Sequence, residues 1–391
     1  MIKRAITSNL IHLAETFPVV TIEGPRQSGK TTLAKATFPH YTYVNLEETA
    51  TRRLAQQDPH GFFEKFPVPT IIDEIQRVPE LLSEIQVRVD QSRQNGQFIL
   101  TGSHQPKLKE GIAQSLAGRT ALLTLLPFSI AELASADIDL DRDDYLFRGF
   151  LPAIYDRKQN PVDAYEAYYR TYVERDVRQI INLARQNEFE LFMRLLAGRV
   201  GQVVNLDSLS GDVGVSSTTL KEWISVLESS FIIHRLHPYY NNFGKRFIKS
   251  PKIYFTDVGL ATHLLGIDDT AQVSRDPLLG GLFENMIVME AVKARVNEGR
   301  KPNLYFMRNK TGEEIDLVLE SNRDLLLLEI KSAKTPDSSM ANGIRKFAKF
   351  IPNVRGGHVI YSGEEWPLEG GSFTNFRDVS KLIQFKSKCG S

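Results

Sequence analysis

Short apolar runs alternate with longer segments of helical periodicity over about the first 140 of the 391 residues. Runs of roughly four to six apolar residues are typical of strands buried on both faces, and the segments between them are long enough for helices. This alternation predicts an α/β fold, with a three-layer domain built on a mostly parallel sheet in residues 1–140. The predicted strands are Val19–Glu23, Tyr43–Leu46, Thr70–Asp73, Phe98–Thr101 and Ala121–Leu126.

Residues 141–200 predict a helical connector. Aromatic residues recur at helical spacing from Ala164 to Val173, and we expect them to pack on a buried helix face. Residues 201–270 predict a small winged-helix-like domain, with Gly214 as the turn between two helices and Ser216 as the N-cap of the second. Its predicted elements are helices Leu206–Val213 and Thr218–Ser229 and wing strands Phe231–Ile233 and Lys252–Phe255.

Residues 275–391 predict a further α/β domain. Phe283–Val292 has the pattern of an amphipathic helix, and the strand Leu304–Met307 follows it. Glu314–Leu319 and Leu325–Lys331 are then expected to pair as a hairpin of core strands.

Composition sets broad limits on the partners. The chain is 42% hydrophobic and 24% charged, with a formal net charge of +1, so no overall field attracts it to nucleic acid or membrane. The lone cysteine, Cys389, cannot form an internal disulfide, which favours a reducing compartment. We find neither a signal-peptide pattern in the first residues nor an apolar run long enough to span a membrane, so we expect a cytoplasmic protein without a membrane partner.

Residues 24–31 read GPRQSGKT, a full match to the phosphate-binding pattern G-x-x-x-x-G-K-[ST] between a predicted strand and a predicted helix. Backbone N–H groups of such a loop and the positive end of the helix dipole converge on phosphate. Lys30 is expected to reach the β- and γ-phosphates of ATP, and the Thr31 hydroxyl to bind Mg²⁺. The predicted nucleotide-binding residues are Gly24, Pro25, Arg26, Gln27, Ser28, Gly29, Lys30, Thr31, Thr32 and Asp73.

Two further strand ends supply polar groups at the same predicted edge of the sheet. Thr70–Asp73 ends in a carboxylate that could bind Mg²⁺, and the adjacent Glu74 could activate water for hydrolysis. The strand Phe98–Thr101 leads to Ser103, so either Thr101 or Ser103 could contact the γ-phosphate or the attacking water.

The segment between Ser229 and Thr256 contains five basic residues and no acidic one. Aromatic residues lie between them, a combination suited to contacting phosphates and stacking on bases. A winged helix that packs only against other domains, with solvated lysines, is the alternative. The predicted DNA-binding residues are Lys245, Arg246 and Lys249, and the other two basic residues are Arg235 and Lys252.

The last region carries a possible metal site. Asp316 is followed by Glu329-x-Lys331, a spacing similar to that of the PD-(D/E)xK nuclease fold, with Glu284 as the acid on the helix. Strand alternation places Glu329 and Lys331 on one face, where carboxylates beside a lysine could bind Mg²⁺. Because charges within an apolar strand need partners, the same residues could instead form a buried structural ion pair.

Together these segments resemble the prokaryotic AAA+ ATPases that join an N-terminal AAA-type domain to a C-terminal DUF4143 region. The resemblance extends from Gly24 to Lys334 and implies ATP chemistry and a ring-forming homo-oligomer such as a hexamer. The matching motifs are GPRQSGKTTL, IIDEIQ, ILTGS, AGRTALLTLLPFSIAEL, RTYVERDV, YFTDVGL, LFENMIVMEAV, GEEIDLVLE and LLEIKSAK.

Arginine fingers accelerate phosphoryl transfer, often from a neighbouring subunit, and Arg119 and Arg175 are the candidates, although both could equally form surface ion pairs. Three functions follow from these patterns. The first is an Mg²⁺-dependent ATPase coupled to DNA binding or remodelling. The second is an ATP-dependent switch that binds a protein partner, and the third is a metal-dependent nuclease gated by ATP.

Overall fold

The computed structural model describes residues 1–102, 111–112, 114–177, 185–239, 250–309, 312–368 and 371–384. The chain divides into two compact units. The first contains Met1–Phe128 and the short segments 229–231 and 296–300, and the second contains the remaining residues. None of the helices in these described ranges is long and apolar enough to cross a membrane.

The first unit is built on a five-stranded parallel sheet in the order β2-β3-β4-β1-β5. Its faces bury separate clusters of side chains: Val19, Phe98 and Leu100 point into one, and Val20 and Ile99 into the other. The strands are β1 (Val19–Glu23), β2 (Thr42–Asn45), β3 (Thr70–Asp73), β4 (Phe98–Thr101) and β5 (Thr120–Thr124). The helices are α1 (Thr7–Thr16), α2 (Lys30–Thr37), α3 (Thr49–Gln57), α4 (Pro59–Lys65) and α5 (Leu81–Ser92), with a 3₁₀ turn at Ile75–Arg77.

The predicted α/β fold and its parallel sheet are confirmed. Parallel strands covered by helices on both faces read as near-continuous apolar runs, as these segments do. β1, β3 and β4 have the predicted bounds, while β2 and β5 begin one residue earlier than predicted and end one or two residues earlier. The order places β4 between β1 and β3, so the carboxyl ends of these three strands are neighbours.

The second unit begins with helices. They are α6 (Ile130–Ala134), α7 (Arg142–Arg148), α8 (Pro152–Asp156), α9 (Pro161–Tyr168), a π-helical segment (Tyr169–Val177), α10 (Gln186–Ala197), α11 (Leu206–Val213) and α12 (Ser217–Ser229). Tyr165, Tyr168 and Tyr172 are buried, as expected for a packed helix face. Gly214 ends α11 with a φ of 79°, and the Ser216 hydroxyl accepts a hydrogen bond from the Thr219 N–H at 3.1 Å, as the sequence predicts.

A two-stranded antiparallel ribbon follows, made of β6 (Ile233–Leu236) and β7 (Lys252–Phe255). The wing strand predicted at Phe231–Ile233 therefore begins two residues later. Beyond the ribbon lie α13 (Val258–Leu264), α14 (Thr270–Val273) and α15 (Leu279–Asn297).

The second unit ends in a six-stranded mixed sheet in the order β12-β13-β11-β10-β9-β8. β9 and β10 form the predicted antiparallel hairpin, with Leu327 opposite Val318. The strands are β8 (Leu304–Arg308), β9 (Glu314–Ser321), β10 (Asp324–Ile330), β11 (Val354–Tyr361), β12 (Trp366–Leu368) and β13 (Gly371–Asn375). Helices α16 (Asn342–Phe350) and α17 (Val379–Ile383) accompany them, with 3₁₀ turns at Ser338–Ala341 and Phe376–Asp378.

Helix α15 corrects one prediction, because it is buried on nearly all sides rather than amphipathic. Its charged side chains are internal and have partners. Glu290 and Lys293 bond at 2.8 Å, and Glu290 also accepts the Ile130 N–H at 2.9 Å. Asn285 bonds both the N–H and the carbonyl of Phe255. A polar residue can face the interior when its hydrogen bonds are satisfied there, so polarity in this helix does not mark an exposed face.

Candidate nucleotide site and C-terminal charge cluster

The glycine loop connects β1 to α2. Gly24 has a φ of 147°, and a Cβ atom there would lie 2.1 Å from the Leu125 carbonyl oxygen, so only glycine fits. Gln27 and Gly29 also have positive φ, at 61° and 93°. The loop therefore curls tightly before α2 begins at Lys30, which leaves the helix N-terminus facing its concave side.

Lys30 is buried at the start of α2. Its Nζ atom donates to the carbonyl oxygens of Gly24 at 3.0 Å and Pro25 at 2.7 Å. Burial lowers the pKa of Lys30 to about 8, although Glu74 and Asp73 nearby favour the charged form. The ammonium group therefore lies inside the loop, where it can approach an oxyanion at short range.

Asp73, at the end of β3, accepts hydrogen bonds from three hydroxyl groups. The Thr31 hydroxyl is 3.0 Å from both carboxylate oxygens, the Tyr43 hydroxyl is 2.9 Å from one, and the Thr101 hydroxyl contacts the other. The parallel order of β2, β3, β4 and β1 brings these groups together. A carboxylate and a threonine hydroxyl in direct contact form a donor set suited to Mg²⁺, a hard cation that prefers oxygen ligands.

Glu74 follows Asp73 and has a φ of 58°, so the chain turns sharply there into the 3₁₀ turn. Its carboxylate accepts a hydrogen bond from the Gln76 side chain. Burial raises the pKa of Glu74, while Lys30 and Arg26 nearby oppose that shift. A partly buried carboxylate with a raised pKa, close to the lysine of the glycine loop, has the properties of a general base.

The other residues predicted at the nucleotide site are Thr101, Ser103, Ser28 and Thr32. Thr101 contacts Asp73 directly, whereas Ser103 lies outside the described residues. Tyr43 was missed by sequence reasoning, because its contact with Asp73 depends on the pairing of β2 with β3. Ser28 is fully buried in the loop, and Thr32 lies in the first turn of α2.

The second cluster brings together the predicted C-terminal residues. Lys331 donates to Glu329 at 2.9 Å and to Asp316 at 3.3 Å, and the Ile330 N–H donates to Asp316 at 2.8 Å. Glu329 and Lys331 contact each other, as expected of residues two apart in an extended chain, although β10 ends at Ile330 rather than at the predicted Lys331. Each charged side chain therefore has an oppositely charged neighbour.

Lys252 enters this cluster from β7, which the sequence did not predict. It is 2% exposed, and its Nζ atom donates to Glu284 at 2.7 Å and contacts Glu314. The Tyr254 hydroxyl also donates to Glu284, at 2.6 Å. Carboxylate oxygens of Glu284, Glu314 and Asp316 lie within 4.8 Å of one another. An ammonium group thus lies among acids that could otherwise hold a cation.

The pKa values in this cluster depend on burial and mutual repulsion. Burial raises the pKa of Glu284 to about 7, against the effect of Lys252. Burial and the neighbouring Asp316 raise the pKa of Glu329 to about 8. Although burial disfavours the charged form of Asp316, Lys331 and Lys252 hold its pKa below the usual value. Burial thus opposes ionisation of Glu284 and Glu329, whereas the two lysines favour the ionised form of Asp316.

Known proteins share this organisation. An AAA domain family matches residues 16–134, and a domain of unknown function, DUF4143, matches residues 279–377. A separate domain of unknown function, DUF8612, matches residues 139–271. The uncharacterized protein Rv2008c of Mycobacterium tuberculosis is 32% identical over 373 residues, which are 94% of this chain and 81% of that protein. An uncharacterized protein of Mycobacterium bovis matches equally well.

The chain belongs to the family of AAA+ ATPases with a C-terminal DUF4143 region.

Solved structures are more distant from this AAA+ ATPase. A Walker-type ATPase of Pyrococcus abyssi has a TM-score of 0.42 at 15% identity and covers 66% of this chain and 94% of its own. A RuvB protein of Thermotoga maritima has a TM-score of 0.32 at 18% identity and covers 60% and 90%. At these values neither resemblance bears on function.

Two of the five basic residues in the predicted DNA-binding stretch of the ATPase have internal partners. Arg235 donates to Glu228 at 2.7 Å, and Lys252 is the buried cation of the C-terminal cluster. Lys252 is therefore not on the surface, whereas Arg235 keeps 33% of its side chain exposed beside Glu228. Lys245, Arg246 and Lys249 lie outside the described residues.

Arg119 of the AAA domain precedes β5 and bonds Asp90 at 2.6 and 2.9 Å. Thr120, the next residue, is opposite Val19 at the amino end of β1, whereas the glycine loop follows the carboxyl end. Arg119 and the glycine loop are therefore at opposite ends of the parallel strands. For Arg175 the structure describes the π-helical backbone but not the side chain.

Proposed function

We propose that this protein is an Mg²⁺-dependent ATP hydrolase. Residues 24–32 cradle the phosphates, and Lys30 contacts the β- and γ-phosphates. Thr31 and Asp73 hold Mg²⁺, which neutralises charge on the phosphates when bound. Glu74 accepts a proton from the attacking water, and Thr101 keeps Asp73 oriented.

The contact between Thr31 and Asp73 carries this proposal. The two side chains are 42 residues apart in the chain and come from different elements, yet the hydroxyl is 3.0 Å from both carboxylate oxygens. Lys30 precedes Thr31 at the same edge of the sheet. Because burial lowers the pKa of its ammonium group, a bound anion would favour the charged form. These residues combine oxygen ligands for a hard cation with a positive group for phosphate.

Binding of Mg²⁺–ATP, measured by titration calorimetry, tests the nucleotide site. We expect Lys30→Ala to weaken binding at least ~100-fold, because the phosphates then lack a charge-assisted hydrogen bond inside a buried loop. Wild-type affinity should fall as the pH rises above about 8, the pKa of Lys30, because ATP binds best to the protonated amine. Absence of binding by the wild type would contradict the proposal, and so would unchanged binding by Lys30→Ala.

We further propose that residues 1–140 form the ATPase domain and that its cycle is coupled to DNA through the winged-helix-like region at 201–270. The pair of helices α11 and α12 followed by the β6–β7 ribbon supports this reading. The contact residues would be Lys245, Arg246 and Lys249, since Arg235 and Lys252 are engaged elsewhere. A protein partner at this region is the competing function.

Salt-dependent DNA binding separates these two functions. We expect the wild type to bind duplex or single-stranded DNA in the presence of ATP. Replacing Lys245, Arg246 and Lys249 with Glu should weaken binding and reduce the salt slope by about 0.9 for each phosphate that the protein no longer neutralises. A matched triple replacement at exposed Lys158, Lys334 and Lys346 should change neither quantity. Undetectable wild-type binding at low salt would favour the protein-partner function.

We also propose that the C-terminal cluster is structural and that Arg119 acts on a neighbouring subunit. The buried ammonium of Lys252 supports the first proposal, because it lies among the acids that a catalytic metal would need. The position of Arg119 at the end of the parallel strands opposite the glycine loop supports the second, since an arginine finger placed there would have to serve another subunit of a homo-oligomer.

A further inference from the structure

Arg4 lies outside every recognised motif, yet its guanidinium contacts the glycine loop. The residue is 8% exposed. Its Nη1 atom donates to the Ser28 carbonyl oxygen at 2.7 Å, and Nη2 donates to the carbonyl oxygens of Leu126 at 2.6 Å and Pro127 at 3.4 Å. The guanidinium also lies 4.8 Å from the centre of the Phe128 ring. One planar group therefore joins the glycine loop to the segment after β5.

The bond to Ser28 fixes the direction of a peptide group. In a trans peptide the carbonyl and the N–H point in opposite directions. Holding the Ser28 carbonyl toward Arg4 therefore turns the Gly29 N–H away from Arg4. The Ser28 side chain cannot set this orientation, because its buried hydroxyl has no hydrogen-bond partner among the described residues.

The second contact of Arg4 fixes where the loop lies. Gly24 already packs against the Leu125 carbonyl, and the Leu125 N–H donates to the backbone carbonyl oxygen of Glu23 at 2.8 Å. Arg4 continues this attachment at the next two residues, Leu126 and Pro127. Both ends of the loop are thus attached to the backbone after β5, one by close packing and the other through a guanidinium. The planar guanidinium fixes the directions of its hydrogen bonds to the carbonyls, whereas the rotatable ammonium of a lysine imposes no planar geometry.

We propose that Arg4 is a positioning residue for phosphate binding. It holds the peptide between Ser28 and Gly29 so that the Gly29 N–H faces the bound phosphates, and it anchors the loop to the segment after β5. A donor oriented in advance loses little energy to reorganisation when the anion binds. This inference rests on the proposed binding of ATP at residues 24–32.

The test compares Arg4→Met and Arg4→Lys with the wild type. We expect Arg4→Met to weaken binding of a fluorescent ATP analogue and of ADP at least ~10-fold, the value of a hydrogen bond to a charged group. Arg4→Lys should recover only part of the affinity, because an ammonium keeps the charge but not the planar geometry. Arg142→Met is the matched control, since Arg142 is also 8% exposed and donates to a backbone carbonyl in the other unit. It should leave nucleotide affinity within about twofold.

A spectroscopic signal separates positioning from general loss of structure. In protein labelled with ¹⁵N-glycine, the Gly29 amide resonance of the wild type should shift when ADP is added. That shift should be strongly reduced in Arg4→Lys at saturating ADP, even though the protein is folded by circular dichroism. The inference would be overturned if Arg4→Lys showed the same Gly29 shift as the wild type and bound nucleotide within twofold of the wild-type affinity. It would also be overturned if Arg4→Met bound nucleotide as tightly as the wild type. If the wild type itself binds no nucleotide, the proposed function fails; if it binds and only Lys30→Ala loses binding, this inference alone fails.

Discussion

Replacing Glu74 with Gln is expected to slow ATP hydrolysis at least ~100-fold while leaving Mg²⁺–ATP binding nearly unchanged. Glu74 lies beside Asp73 at the end of β3, and burial raises its pKa, as expected of a group that must accept a proton. Glutamine has the same size and can accept the hydrogen bond from Gln76, but it cannot take a proton from water. Such a loss corresponds to about 2.7 kcal/mol in the barrier. Phosphate release under single-turnover conditions, with binding measured separately, checks it.

Glu47→Gln is the matched control for this prediction. Glu47 follows β2 and pairs with Arg77 at 2.9 Å on the surface, so its replacement should change turnover by less than about twofold. Turnover of Glu74→Gln near the wild-type rate would show that another group activates the water.

The second large effect is expected in the C-terminal cluster, where Lys252→Met should destabilise the protein by about 3–5 kcal/mol. Lys252 is 2% exposed and bonds two carboxylates, so its removal leaves buried acids without their cation. Burial raises the pKa of Glu284 to about 7 even with Lys252 present, and removing that lysine raises it further, so proton uptake by Glu284 limits the loss at lower pH. Urea unfolding at pH 7 and pH 8, followed through the transition of the second unit, measures the loss in free energy of unfolding and its increase with pH.

Lys331→Met provides the comparison within the same cluster. Lys331 is 39% exposed, so solvent can hydrate the acids that lose it, and the expected loss is smaller than for Lys252→Met. Mn²⁺-dependent DNA cleavage by the wild type that disappears in Asp316→Asn would contradict the structural role proposed for this cluster.

The sequence predicted the parallel sheet and the glycine loop of the first unit because the residues that mark them are contiguous. The loop at residues 24–31 and the strand before Asp73 identify themselves by local pattern, and parallel strands then place their carboxyl ends at one edge. The contact between Thr31 and Asp73 follows from this topology. Likewise, the turn at Gly214 and the cap at Ser216 are local signals, and they predicted the two helices correctly.

The missed residues act through contacts that no local pattern contains. Tyr43 reaches Asp73 only because β2 pairs with β3. Arg4 reaches Ser28 from the segment before α1, which contains no motif. The sequence suggested that Lys252 is exposed, because the segment that contains it is rich in basic and aromatic residues. Its partners, Glu284 and Glu314, come from a helix and a strand at least 32 residues away. Charge along the sequence cannot distinguish a solvated lysine from one buried among acids.

Phosphate release from ATP by the purified wild-type protein, with Mg²⁺ and again with excess EDTA, tests the proposed hydrolase most directly. The expected result is turnover that requires Mg²⁺ and is abolished in Lys30→Ala, while the circular dichroism of that variant matches the wild type. Wild-type protein that binds Mg²⁺–ATP but releases no phosphate, alone or with DNA, would contradict hydrolysis. Release by Lys30→Ala at the wild-type rate would show that the activity does not belong to this site.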